Sequence, residues 1–128
     1  MTRMTLAIST IGCVIALVSS ASAYDGNWRR GQVYYQGVCT PCHKATNPEG
    51  IPANSRTIAE WTAYMHADKH DMLKRYVSQA YRAEIWAKNR VAEKFYSVNA
   101  HELLQDIKAY MVIGAKDGDV PVSWWRER

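Results

Sequence analysis

Apolar residues recur along this chain at helical spacing, and no stretch alternates long enough to predict a strand. The first pattern is different. Leu6 to Val18 is an uncharged apolar run behind the cationic Arg3, closed by Ala21-Ser22-Ala23. That layout predicts a secretory leader over 1–23, cleaved before Tyr24. The run is short for a membrane span, so none is expected in the mature protein; an uncleaved anchor is the alternative. Cys13 lies inside the run without the aliphatic residue three before it that a lipoprotein needs, since Thr10 stands there.

After the leader the pattern predicts helices joined by loops. A first helix is expected from about Asn27 to Cys42, capped by Asp25 or Asn27, with Gly31, Tyr35 and Cys39 on one face. Pro48, Gly50 and Pro52 predict a loop over Lys44 to Asn54. A second helix spans Ser55 to about Ala67. Ser55 or Thr57 caps it, Glu60 stands at capping-box distance from Thr57, and Ile58, Trp61, Tyr64 and Met65 share a face. Asp68 to Met72 is a short polar break. Leu73 to Tyr96 is amphipathic through Leu73, Val77, Ala80, Tyr81, Ile85, Trp86, Val91 and Phe95, and predicts one kinked helix or two short ones. Its cations Lys74, Arg75, Arg82, Lys88, Arg90 and Lys94 read as a solvated face. The last helix is expected from about Asn99 to Ile113, capped by Ser97 or Asn99 and ended by Gly114 and Gly118. Leu103, Leu104, Ile107, Tyr110 and Met111 form its apolar face. The tail from Asp119 is expected to be extended and laid on the body by Trp124 and Trp125. The fold class is therefore all-α, with one domain over 24–128.

Composition changes this picture modestly. About 105 residues after the leader suffice for a single core. Removing Arg3 leaves 15 basic against 12 acidic residues, a net charge of +3. That suits acidic protein surfaces better than nucleic acid, which calls for a denser basic patch. Eight Tyr and five Trp against one Phe suit a pocket that is part apolar and part wet, though they also suit an ordinary core.

The chemistry is concentrated in Cys39-Thr40-Pro41-Cys42-His43, a C-x-x-C-H run. Two thiols at this spacing reach the two vinyl groups of one porphyrin, and the adjacent His is left to bind the iron, as in covalent attachment of a c-type haem. A zinc half-site would need further ligands, and no cysteine remains in the mature chain to supply them. A thioredoxin-like pair would need a βαβ setting that the pattern lacks. An export leader agrees with haem attachment outside the cytoplasm, so a periplasmic or otherwise exported protein is expected.

The chain resembles the class I cytochrome c family in Gly31, Tyr35 and Cys39 of the first helix and in Ile107 and Tyr110 of the last. The resemblance implies a cytochrome c-like helical fold around one haem. Gly31 and Tyr35 would then cross the last helix, and a proline carbonyl, of Pro48 or Pro52, would accept the Nδ1–H of His43. The roughly twenty residues between the polar break and the last helix are extra to the minimal family pattern and imply an added helical insertion. Cys39 to His70 also resembles a dihaem cytochrome c domain in the order Pro52, Trp61, His70, although the second haem motif is missing.

His43 is the expected proximal ligand. For the sixth position the candidates are His66, His70, His101, Met65, Met72 and Met111. His70 ranks first and Met72 second, because both lie in the break where the chain can cross the distal face. Met65 and Met111 read as core, and His66 and His101 as surface. The expected function is a monohaem electron carrier, not an enzyme, working between redox proteins. The alternatives are the haem subunit of a larger oxidoreductase, or a haem enzyme or gas sensor with an open sixth site.

Overall fold

The structure, a computed structural model, describes residues 24–88 and 90–120. The expected leader and the two tail tryptophans lie outside these residues. The described residues are all-α, with no strand. Helix α1 (Trp28–Tyr34) runs through a π turn (Tyr35–Cys39) into α2 (Thr40–Thr46). A 3-10 turn (Ala53–Ser55) leads to α3 (Ile58–Ala67). A second π turn (Leu73–Val77), α4 (Gln79–Lys88) and a 3-10 turn (Ala92–Phe95) fill the segment before α5 (Ala100–Ile113).

Local chemistry sets most of these boundaries. The Asn27 side chain accepts from the Arg30 N–H and starts α1. At α3, Thr57 and Glu60 form the capping box in both directions, and Asp117 accepts from the Ile58 N–H as well, at 2.7 Å. The Asn99 Oδ1 accepts from His101 and Glu102 at the start of α5. Hydrogen bonds to the Thr57 N–H and hydroxyl hold the Glu60 carboxyl below the usual range.

One expectation needs correction and another refinement. The first helical stretch continues to Thr46, so the loop expected from Lys44 starts at Asn47; nothing before Pro48 breaks the helix. The segment from Leu73 to Tyr96 does break into two short helices, at Ser78, but the first is a π turn rather than α and a 3-10 turn follows the second, α4.

The core forms where α1 crosses α5. A Cβ at Gly31 would overlap the Asp106 carbonyl, so only glycine lets the helices approach this closely. One turn on, the Tyr35 and Tyr110 rings meet with centres 5.5 Å apart. Beside the crossing, Asp106 is fully buried. It accepts from the Tyr24 hydroxyl, the Asn27 N–H and the Arg30 Nε, which keeps a buried carboxylate paired and hydrogen-bonded. Arg82 is the other buried charge. Its Nη1 donates to the carbonyls of Phe95 and Val98, which ties α4 to the following turn. The Tyr34 hydroxyl, buried against Phe95, donates to the Tyr76 carbonyl. The segment from Met72 to Tyr96 is thus fastened to the body at both ends.

Candidate functional site

The C-x-x-C-H run lies where the first helical stretch changes pitch. In the π turn the Thr40 N–H reaches back to the Tyr35 carbonyl, and the Thr40 hydroxyl accepts this role too, donating to the same oxygen at 3.1 Å. Pro41 follows immediately. A proline has no N–H to give and crowds the preceding turn, and the widened turn accommodates it without ending the helix. Cys39 is half-buried, Cys42 exposed and His43 half-buried; both cysteines are free thiols. Burial pushes the Cys39 thiol up to about 12, with the neighbouring Cys42 adding to it. A thiol-exchange pair works through a lowered thiolate pKa, so this environment suits a neutral thiol better than a redox dithiol.

These three residues line a cleft of about 270 Å³. Tyr35, Trp61, Met65, Ile107 and Met111 supply its inner lining, and His70, Met72, Tyr76 and Tyr81 come to it from the segment after α3. Tyr35 is fixed by donating its hydroxyl to the Ile51 carbonyl at 2.6 Å, and Trp61 by donating its indole N–H to the Ala53 carbonyl at 2.5 Å.

His43 and His70 are 27 positions apart in the sequence, yet their ring centres stand 6.1 Å apart with planes at 45°. Two imidazoles on opposite sides of one metal, each with a metal–nitrogen bond of about 2 Å, have ring centres about 6 Å apart. The turn that carries His70 is unusual. Asp68 and Asp71, on either side of it, have φ of 39° and 50°, in the left-handed region. The Met72 N–H donates to the Asp68 side chain at 2.8 Å, and the Asp71 N–H to the Asp68 carbonyl at 2.8 Å. Such backbone persists only where its surroundings hold it, and here it holds a histidine towards His43.

The Tyr64 hydroxyl lies 3.0 Å from His70 Nδ1. It occupies the inner ring nitrogen and leaves Nε2 for a metal. Arg56 also lines the cleft, its guanidinium 5.2 Å from the Tyr64 ring centre and 5.5 Å from that of Trp61.

Of the sixth-ligand candidates, His70, Met72, Met65 and Met111 line the cleft; His66 and His101 are exposed and do not. Tyr35 and Trp61 line it as well. Pro52 does not: it is exposed, and its carbonyl accepts from the Ser55 N–H. Tyr64, Arg56, Tyr76 and Tyr81 were not singled out from the sequence as site residues. Only Tyr64 had a usable signal, standing three residues after Trp61 on the same helix face.

Among the described residues no three His, Cys, Asp or Glu cluster as a metal cage, and no helix is long and apolar enough to cross a membrane. No family model, no curated protein and no solved structure matches the chain.

Proposed function

We propose that this chain is an exported monohaem c-type cytochrome that carries electrons between redox proteins. The observation that carries the reading is the pair His43 and His70, whose ring centres stand 6.1 Å apart in a cleft that also presents Cys39 and Cys42. The residues fit the group: two thiols at thioether spacing, two imidazoles at the separation of axial ligands, and a largely aromatic and aliphatic lining. When bound, a haem supplies a one-electron couple.

Each residue then has a role. Cys39 and Cys42 anchor the porphyrin. His43 and His70 would bind the iron, with Met72 the alternative to His70. Tyr64 accepts from the His70 Nδ1–H, which fixes the ring and makes its outer nitrogen a stronger donor. Arg56 offers a cation to acidic groups at the porphyrin edge. Tyr35 and Trp61, held by their own hydrogen bonds, shape the apolar wall. The α1–α5 crossing through Gly31 and Tyr35 supports the resemblance to class I cytochromes c. A second imidazole 6.1 Å from His43 favours a carrier over a haem enzyme or gas sensor with an open sixth site.

The test is direct. Expressed in a periplasm with haem-maturation machinery, the protein should keep the haem mass through acid–acetone extraction; its loss overturns covalent attachment. The ferric protein should be low-spin and should not bind carbon monoxide when reduced at neutral pH. A far-red sulfur-to-iron band that only Met72→Ala removes would replace His70 by Met72.

A further inference from the structure

The segment from Met72 to Tyr96 holds nearly all the charge asymmetry of the molecule. It has six basic residues against two acidic ones, a net +4, whereas the rest of 24–128 sums to −1. Arg82 is buried, so five of these cations, Lys74, Arg75, Lys88, Arg90 and Lys94, face solvent. The two carboxylates are already engaged: Glu84 with Lys88 at 3.2 Å and Glu93 with Arg90 at 4.0 Å. Within this segment Trp86, which the hydrophobic pattern places with the packed residues, is instead 44% exposed and Tyr96 42%, with ring centres 5.9 Å apart. Large aromatics are usually driven under cover. An exposed aromatic pair in a segment that also exposes five cations has the composition of a protein-binding hot spot with charged surroundings.

We propose that this face of the segment, centred on Trp86 and Tyr96, is the docking surface for an acidic protein. Charge complementarity selects the partner: five exposed cations against two carboxylates, a net +3 at the surface of an otherwise near-neutral molecule, steer an acidic surface to this segment. A nucleic acid would call for denser cations and a membrane for a continuous apolar face, whereas a compact aromatic pair with sparse charges fits a folded protein. The same element reaches the cleft from its other side. Tyr81 of α4 lines it, and Tyr81, Tyr76 and His70 follow one another with ring centres 5.5 Å and 6.4 Å apart. That the partner is a redox protein rests on the proposed haem function; the docking surface itself does not.

An acidic blue-copper protein serves as the probe, titrated into the full mature protein and followed by calorimetry and by backbone amide shifts. Shifts should centre on 84–96, and binding should weaken steeply with salt. Lys88→Glu/Lys94→Glu should slow association by about tenfold or more. Trp86→Ala/Tyr96→Ala should weaken binding with little change in salt dependence, while Lys44→Glu/Lys116→Glu, exposed cations outside the segment, should change it less than twofold. Unfolded variants show in the amide spectrum; the single changes Lys94→Gln and Trp86→Phe then give the same ordering in smaller steps. Shifts centred on Cys42 and Lys44, or tighter binding to phosphatidylserine vesicles or duplex DNA than to the acidic protein, would overturn the proposal. Neither binding readout depends on electron transfer. Absence of covalent haem would therefore end the redox reading while these measurements still judge the surface.

Discussion

Two side chains decide what the cleft can hold: His70 and the tyrosine behind it. Tyr64→Phe removes the partner of His70 Nδ1 without changing the shape of the wall. The expected result is a protein that still attaches haem but holds its sixth ligand about tenfold more weakly, as loss of an outer-shell partner does. Competition by added imidazole measures it; unchanged competition would show that Tyr64 is only packing. With a less basic ligand the ferric state is stabilised less, so the potential should rise, and redox titration gives the sign. His70→Ala should have the larger effect, opening the sixth position to carbon monoxide. If it leaves the spectrum unchanged while Met72→Ala alters it, the axial pair is His43 and Met72.

Among the elements, the capping box and the helix crossing carry the clearest consequences. Thr57→Ala strips the α3 N-terminus of its side-chain acceptor and should cost about 1 kcal/mol. The loss is checked by the urea midpoint at constant slope. Gly31→Ala places a methyl against the Asp106 carbonyl, a backbone atom that cannot swing aside. The helices must separate, and the cost should reach about 3 kcal/mol, the upper range for overpacking. A thermal melt unchanged by this substitution would show that the crossing is looser than the structure has it. The π turns belong to this scale too. Both abut the site, one ending at Cys39 and the other starting after Met72. Each inserts a residue's worth of rotation and so resets which side chains reach the cleft.

For the molecule as a whole, pH and cofactor bear on the same core. Burial is the leading cause that raises Tyr34, Tyr35 and Tyr110 above the ordinary tyrosine value; Cys39 adds to the first two. A group whose folded pKa is raised is neutral in the fold and ionises first in the unfolded chain. Its contribution is fully present below about pH 10 and is lost as pH rises beyond it. Stability should therefore hold from pH 7 to about pH 9 and fall steeply above about pH 10. Denaturant midpoints across that range test it, and Tyr35→Phe should flatten part of the fall. Since the apolar lining surrounds a cleft, the protein without haem should lose fixed packing. Near-ultraviolet dichroism of the apoprotein is expected to be weak, with helical far-ultraviolet dichroism retained. A cooperative apoprotein melt with full near-ultraviolet signal would contradict this.

The sequence by itself determined whatever depends on neighbours in the chain. The caps, narrowed to Asp25 or Asn27, Ser55 or Thr57 and Ser97 or Asn99 with the structure using the second of each pair, the helical period of α3 and α5, and the C-x-x-C-H spacing are matters of a turn or two. Their physics is complete in a short window. Gly31 and Tyr35 were legible only through the resemblance, in which a glycine four residues before an aromatic crosses the last helix; spacing alone put them on one helix face. Only the tertiary structure decided the rest. It brought His70, Met72, Met65 and Met111 of the six candidates to the cleft that His43 lines, placed the Tyr64 hydroxyl against His70 Nδ1, and left Pro52 outside the cleft. It buried Asp106 and Arg82 in networks that bring together residues up to 82 positions apart. Asp106 sits in α5 as an unremarkable helical carboxylate until Tyr24 and Arg30 arrive, and Arg82 reads as one more solvated cation until α4 folds over the carbonyls of Phe95 and Val98. The π turns escaped for a related reason. An i-to-i+5 bond has no residue signature of its own, and the chain adopts it where packing around Pro41 and His70 requires the extra rotation.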